Sequence, residues 1–285
     1  MSRLPAKVGI SLRPEHYSIL LEDQSNIAWL EIRPYDYFGE GGAPHHYLKK
    51  LTEKYPLAMH GHGLSLGSAE SVNSDYLRAL KKLMDRYPPV VVSETLCWSR
   101  WQGVYLSEPL PLPYNAETLD QVSINIKNVQ NSLGRRILIE NPSCYLSLEA
   151  NTMSEGAFFE ELLRHTGCGL LLDLNNLYVS AMNTGQDPSK VLASYPMAAV
   201  QEIHLSGHSL QPLDEDNMLL VTNHSADIWK PVWQLYREAL TALPRPVATL
   251  IEWYADPAPF DVILASAVKA NGILQESLSA RGVRS

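Results

Sequence analysis

Eight short apolar runs recur along the chain, and this recurrence is the feature that most constrains how it can fold. The runs lie at residues 8–12, 28–34, 57–64, 90–96, 136–141, 169–176, 200–207 and 248–253. Longer amphipathic segments separate them, as in parallel α/β folds. Eight such units in 285 residues predict an α/β fold of the (β/α)8 TIM barrel type, forming a single domain over residues 1–285. A doubly wound open sheet is the alternative, but its Gly-rich phosphate turn is missing after the first run.

Three of the intervening segments are predicted helices. They lie at residues 74–87, 119–134 and 154–167. The last of them opens on Ser154, a residue type that caps helix N-termini, and closes on Gly167, the residue type preferred after a helix C-terminus. The long connections at residues 97–115 and 206–228 follow the fourth and seventh runs, and we expect them to form lids or substrate walls.

Charge and cysteine content narrow the classes of partner. The net charge of −8 and the pI near 5.6 come without a basic patch, which argues against nucleic acid and anionic membranes as partners. No stretch reaches the roughly 20 apolar residues of a membrane span, and the N-terminus lacks the apolar stretch of a signal peptide. Cys97, Cys144 and Cys168 form no CxxC pair, so we expect a protein of the reducing cytoplasm. Because a basic patch is missing, we expect it to act on small molecules or peptides.

Polar side chains gather at the C-terminal end of nearly every run. They are Glu31, Arg33, His60, His62, Glu94, Glu140, Asn141, Asp173, Asn175, Asn176, His204, His208 and Glu252. In a (β/α)8 barrel this end of the strands forms the active site, so we expect these groups to converge. Clustered carboxylates need compensating positive charge, and carboxylates mixed with imidazoles suit a divalent ion such as iron, manganese or zinc.

Some of these residues have a simpler interpretation. A lone histidine at a strand end is more often a hydrogen-bonded core residue than a ligand, and this applies to His62, His165 and His208. His45 and His46 are expected to face solvent in a loop. Trp98 could line a peptide groove or simply pack beneath a loop.

Several strings together are distinctive of one family. The chain contains GISLRPEHY, HGHGLSLGS, VSETLCWS, ILIENPS, GLLLDLNNLYVSAMN, EIHLSGH and LIEW, in order across roughly residues 8–256. These strings resemble the multinuclear non-haem iron-dependent oxidase family. The resemblance implies a xylose-isomerase-like barrel that holds two or three iron ions at the C-terminal end of its strands. It also implies the use of dioxygen to modify a residue, most often cysteine, of a ribosomally made precursor peptide that a separate partner protein presents.

The resemblance also assigns roles to individual residues. The implied metal ligands are His60, Glu94, Glu140, Asp173, Asn176, His204, His224 and Glu252, with Glu140, Asp173 and His204 as the catalytic set. Arg13, Arg33 and Trp98 are candidates for binding the peptide, the two arginines through its carboxylate. An ion pair with Glu15 or Glu31 is the alternative role of the arginines.

Two positions depart from the family pattern. Thr95 stands where members usually carry a histidine ligand, and Thr222 stands where they carry an aspartate. A hydroxyl is a poor substitute for either ligand, so the sites that use these positions should bind metal more weakly. The best-supplied remaining site would then consist of Glu140, Asp173, His204 and Glu252. Two other functions therefore stay open. One is a divalent-metal isomerase or hydrolase acting on sugars or phosphodiesters, and the other is a degenerate member that only binds peptide.

Overall fold

A closed barrel of eight parallel strands forms the centre of the molecule. The computed structural model describes residues 3–22, 26–214, 217–254 and 258–282. The barrel strands are β1 (Val8–Ser11), β2 (Leu30–Ile32), β3 (Leu57–Gly61), β4 (Val91–Thr95), β7 (Leu138–Glu140), β8 (Gly169–Asp173), β9 (Val200–Leu205) and β12 (Ala248–Ile251). Each pairs with the next barrel strand along the chain, and β12 closes on β1, where Val8 registers with Thr249. The predicted (β/α)8 barrel is confirmed.

Helices connect the barrel strands. They are α1 (Tyr17–Glu22), α2 (Ala43–Thr52), α3 (Ser74–Arg86), α4 (Ala116–Leu133), α5 (Glu155–Thr166), α6 (Leu174–Asn183), α7 (Pro188–Ala193), α8 (Lys230–Ala242) and α9 (Phe260–Ala280). The three predicted helices are α3, α4 and α5. The Ser154 side chain accepts from the Ala157 N–H at the start of α5, and Gly167 ends it with φ of 65°. Within the described ranges, every helix is too short or too polar to cross a membrane.

Two antiparallel hairpins extend from the C-terminal end of the barrel. The first pairs β5 (Trp98–Trp101) with β6 (Val104–Leu110), and the second pairs β10 (His208–Pro212) with β11 (Met218–Thr222). They occupy the two connections that the sequence predicts to be lids or walls. Two residues of the acidic run in the second connection, at 215 and 216, lie outside the described residues.

Two sequence predictions need correction. The sixth run is not a strand over its whole predicted length: β8 ends at Asp173 and α6 begins at Leu174, because the Asp173 carboxylate caps the helix by accepting the Asn176 N–H. His45 and His46 are not loop residues, because both lie on α2; His46 is exposed as expected, but His45 is not. It is buried on α2, where its ring nitrogens contact the Tyr87 hydroxyl and the Gly39 carbonyl.

A small apolar cluster closes the other end of the barrel. Trp29, which is fully buried, packs there with Leu4, Ala58, Ala248 and Leu250. The Trp29 indole N–H donates to the Lys7 carbonyl, which satisfies its polar atom. The polar interior at the C-terminal ends of the strands is therefore approached from the side that carries the hairpins.

Candidate metal centre

Five elements of the barrel place polar side chains in one buried cluster at the C-terminal ends of the strands, which we call the cup. His60 lies on β3, His204 lies on β9, and Glu140 and Asp173 are the last residues of β7 and β8. Glu252 follows β12 directly. Side chains alternate between the two faces of a strand, so these positions point inward while their apolar neighbours pack against the helices. All five side chains are buried.

Four of these residues form a compact set of possible ligands. The ligand atoms of Glu140, Asp173, His204 and Glu252 all lie within 4.8 Å of one another. The His204 Nδ1 atom is 3.4 Å from Glu140 Oε1 and 3.7 Å from Glu252 Oε2.

Three atoms in this set are buried without a hydrogen-bond partner. They are Asp173 Oδ2, His204 Nδ1 and Glu252 Oε2. Unsatisfied buried polar atoms are costly, and convergent unsatisfied acceptors are what a cation site requires. Three carboxylates and one imidazole therefore fit a divalent ion such as iron or manganese.

Two further histidines flank this set. His60 Nε2 lies 3.3 Å from Glu140 Oε2, and its other ring nitrogen is 2.9 Å from the Ser93 hydroxyl. His60 also forms a compact possible ligand group with His204 and Glu252. His224, at the end of the second hairpin, places Nδ1 2.9 Å from Glu252 Oε2, but the two atoms lack hydrogen-bond geometry. The hairpin thus places a histidine at the rim of the cup.

The charges of the cup are strongly coupled. Burial alone would raise the pKa of Glu140, but the charges of His60 and His204 hold it well below its usual value. Burial would lower the pKa of His60, yet the Glu140 charge and the contact between them raise it to about 10. Asp173 behaves differently, because burial and the charges of Glu140 and Glu252 raise its pKa to about 7. The carboxylates thus depend on nearby positive charge to stay ionised.

Glu94 and Asn176 are less directly placed than the four-residue set. Glu94 is buried, but its Oε1 accepts the Leu64 N–H at 2.5 Å, and burial raises its pKa to about 8. It belongs to no compact ligand group among the described residues. Asn176 donates its side-chain N–H to the Asn141 carbonyl, and its Oδ1 is buried without a hydrogen-bond partner. Its free acceptor lies one helical turn from Asp173.

The two threonines that depart from the family pattern differ in their contacts. Thr95 Oγ1 donates to Glu140 Oε2 at 2.5 Å and lies 3.4 Å from His60 Nε2. It therefore sits directly against the cup, where the resemblance implies an imidazole. Thr222 Oγ1, at the end of β11, is buried without a hydrogen-bond partner.

The three predicted peptide-binding residues lie in different settings. Arg33 pairs with Asp36 at 3.1 Å, and its guanidinium lies 4.7 Å from the centre of the Tyr254 ring. Arg13 lies 3.9 Å from Glu15, so the alternative ion pair is present for this arginine. Trp98 is partly buried, and its indole N–H donates to the Pro111 carbonyl. This bond ties Trp98 to its own hairpin.

A cavity of about 460 Å³ opens beside the cup. Its walls include Arg33 and His62, together with Tyr35, Tyr76, Arg100 and Tyr105. Tyr105 belongs to the first hairpin and stacks on His62, with ring centroids 6.1 Å apart. His62 is therefore a cavity wall, whereas His208 is the hydrogen-bonded core residue expected from the sequence, with Nδ1 2.6 Å from Asn175 Oδ1. The first hairpin forms one wall of this cavity.

Sequence reasoning missed Glu202. This residue is fully buried on β9, two positions before His204, and its Oε1 lies 3.3 Å from His204 Nε2. Glu31, recognised only as a strand-end acid, lies 3.4 Å from the same nitrogen. The alternation of strand side chains was the available signal, because residues 202 and 204 must share the inward face.

Comparison with known proteins identifies the family. The profile of the family described as RiPP precursor modification enzyme MbnB/TglH/ChrH matches residues 7–275. The chain belongs to this family. Among its relatives, a UPF0276 protein of Acaryochloris marina is 44% identical over 93% of this chain and 94% of its own length. A UPF0276 protein of Paraburkholderia phytofirmans is 42% identical over 96% of this chain and 89% of its own length.

Solved structures with much lower identity share the barrel. A xylose isomerase-like TIM barrel protein from Mycobacterium smegmatis in complex with magnesium has a TM-score of 0.61 at 12% identity, covering 95% of this chain and 97% of that one. Endonuclease IV from Thermus thermophilus has a TM-score of 0.59 at 15% identity, covering 95% and 99%. At these identities the likeness shows the fold alone. It confirms the xylose-isomerase-like barrel.

Proposed function

We propose that this family member is an iron- and dioxygen-dependent oxidase that modifies a cysteine of a ribosomally made precursor peptide. The observation that carries the proposal is the convergence of Glu140, Asp173, His204 and Glu252 around atoms that no hydrogen bond satisfies. Hard carboxylate oxygens with one imidazole favour iron over a thiolate-type zinc site. None of the compact ligand groups in the described ranges includes a cysteine.

The residues of the cup would hold two or three iron ions. The four-residue set is one site, and His60, His224, Glu94 and Asn176 are the further candidate ligands. Glu140 faces both His60 and His204, which supports a role for its carboxylate in holding more than one ion. Bound iron would supply the binding and reduction of dioxygen. We assign the catalytic roles to Glu140, Asp173 and His204.

The chain's other groups would bind and orient the peptide. Thr95 donates to Glu140 Oε2 and so restrains that carboxylate within the cup. Arg33 lies in the wall of the adjoining cavity, where its guanidinium could receive a peptide carboxylate. Arg13 and Trp98 border the same end of the barrel, as a second carboxylate anchor and a groove wall. The two hairpins would shield the reacting peptide from water.

A peptide-presenting partner protein and a cytoplasmic location complete the proposal. The family description supports a peptide substrate. The three cysteines of the chain are free thiols, which suits a reducing compartment. Neither nucleic acid nor a membrane is part of the proposed reaction.

The test is metal analysis combined with peptide modification. Protein purified without oxygen should hold at least one iron per chain, and Asp173→Ala or His204→Ala should remove it. Glu155→Gln is the matched control, since Glu155 is a carboxylate outside the cup that accepts from the Tyr114 hydroxyl. The gene neighbourhood is searched for a short Cys-containing peptide, and its coexpression with the protein should give an oxygen-dependent mass change.

Three results would contradict the proposal. Zinc alone, with no dioxygen consumption in the presence of the peptide, would exclude an iron oxidase. Turnover of sugars or phosphodiesters without dioxygen would favour a divalent-metal isomerase or hydrolase. Equal peptide affinity with and without metal, and no product, would indicate a member that only binds peptide.

A further inference from the structure

The two ring nitrogens of His204 face different surroundings. Nδ1 faces the cup, 3.4 Å from Glu140 Oε1 and 3.7 Å from Glu252 Oε2. Nε2 faces deeper into the barrel, 3.3 Å from Glu202 Oε1 and 3.4 Å from Glu31 Oε2. The side chains of His204, Glu202 and Glu31 are completely buried. Water therefore does not compete for either ring nitrogen.

A histidine must be neutral to bind a metal, and this arrangement favours one tautomer of the neutral His204 ring. A neutral imidazole has one N–H, which donates, and one lone pair, which accepts or binds a metal. Both nitrogens lie near carboxylate oxygens, but Nδ1 has no partner in hydrogen-bond geometry, so a hydrogen on Nδ1 would find no acceptor and would leave the Nε2 lone pair facing two carboxylate oxygens. With the hydrogen on Nε2, it donates to Glu202, and the Nδ1 lone pair is directed toward the cup.

The carboxylates that face Nε2 are themselves held in place. The Tyr254 hydroxyl donates to Glu31 Oε1 at 2.9 Å. Glu202 is on the same strand and face as His204, so its position relative to the ring is set by β9. A carboxylate that accepts from the outer nitrogen of a ligating histidine fixes the orientation of the ring and raises its basicity.

We propose that Glu202, supported by Glu31, is a positioning residue that holds His204 with its hydrogen on Nε2, so that Nδ1 is the metal-binding nitrogen. The inference rests on the proposed role of His204 as a metal ligand. It adds two residues that do not themselves touch the metal.

The experiment compares Glu202→Leu with Glu202→Gln. Affinity is measured with Fe(II) alone, by competition with a chelator under argon. Glu202→Leu removes the acceptor and should weaken Fe(II) binding by roughly 10-fold to 100-fold. Removing one partner of a buried pair is destabilising, so thermal unfolding of the metal-free variant is measured first to show that it still folds. Glu202→Gln keeps an acceptor oxygen and should recover most of the affinity. Glu155→Leu is the control for removing a carboxylate outside the cup.

A second readout reports the tautomer directly. In the zinc-loaded protein with ¹⁵N-labelled histidine, the parent should show a protonated Nε2 and a metal-bound Nδ1 for His204. The Leu variant should lose this single pattern. A merely structural role for Glu202 would not change it.

Several outcomes would overturn the inference. They are a folded Leu variant that binds Fe(II) within twofold of the parent, a protonated Nδ1 in the parent, and a Gln variant as weak as the Leu variant. Loss of one whole metal equivalent, with the remaining sites unchanged, would show that Glu202 and Glu31 are ligands instead. None of these measurements uses peptide or dioxygen. If the affinities change as expected but no peptide is oxidised, the proposed function fails and this inference stands.

Discussion

The two carboxylate oxygens of Asp173 have separable roles, and two substitutions distinguish them. Oδ1 accepts the Asn176 N–H at 2.6 Å and caps helix α6, whereas Oδ2 is buried in the cup without a hydrogen-bond partner. Asp173→Asn keeps an acceptor for the cap and removes the charge. Asp173→Ala removes both. We expect both variants to lose iron affinity, and only the alanine variant to lose the cap.

The loss of the cap sets the size of the stability difference. Replacing a capping residue by alanine costs about 1 kcal/mol. Metal-free Asp173→Ala should therefore be about 1 kcal/mol less stable than Asp173→Asn, which corresponds to a melting temperature roughly 2–4 °C lower.

The charge of Asp173 adds a pH dependence. Burial and the charges of Glu140 and Glu252 raise the pKa of Asp173 to about 7, so the folded state favours its protonated form. The protonated Asp173 carboxyl group contributes stability that is fully present below pH 4 and is lost as pH rises through 7. The stability of the metal-free asparagine variant relative to the metal-free parent should therefore increase as pH rises from 5 to 8.

The assay is thermal unfolding with chelator at pH 5 and pH 8, together with Fe(II) competition. Asp187→Ala is the matched control: Asp187 caps α7 by accepting the Ser189 and Lys190 N–H groups, far from any proposed ligand role. It should lose similar stability and keep its iron. Equal stability of the alanine and asparagine variants of Asp173 would refute the capping argument. Parent-like iron affinity in Asp173→Asn would refute the ligand role.

Three further predictions concern the rim of the cup. Thr95→His should raise the number of iron ions bound per chain in metal analysis. An unchanged number would mean that threonine at this position does not reduce metal binding. Burial would lower the pKa of His224, but the charge of Glu252 and the contact with it raise this pKa to about 8. The protonated His224 therefore contributes stability that is present below pH 6.5 and is lost as pH rises through 8. Metal-free His224→Gln should therefore be less stable than the parent at pH 6, with the gap closing by pH 9 in denaturant titrations, and a constant gap would contradict this. A Cβ at Gly207 would overlap the Ala226 carbonyl oxygen, so Gly207→Ala should displace the segment that carries His224 and weaken Fe(II) binding without changing the far-ultraviolet circular dichroism. Parent-like Fe(II) affinity in that variant would argue against the rim role of the segment.

Local patterns in the sequence were sufficient for the barrel and for most of the cup. Each strand is a short apolar run, and the helix α5 is bounded by Ser154 and Gly167 as its capping pattern indicates. Glu140, Asp173 and Glu252 stand at strand ends, and in a parallel barrel all such ends share one face. Strand existence and strand-end position depend on neighbouring residues, which the sequence displays directly.

Tertiary structure alone decided through which atoms these groups meet and which further groups join them. Glu94 is the next-to-last residue of β4 and its carboxylate accepts the Leu64 N–H, whereas Glu140 ends β7 and faces the cup. Glu202, inside a run, reaches His204. Asp173 uses one oxygen for a helix and leaves the other in the cup. These distinctions arise from the register between neighbouring strands and from the closure of the barrel. Register and closure are relations between segments far apart in the chain, and no local pattern of residues records the distances that result.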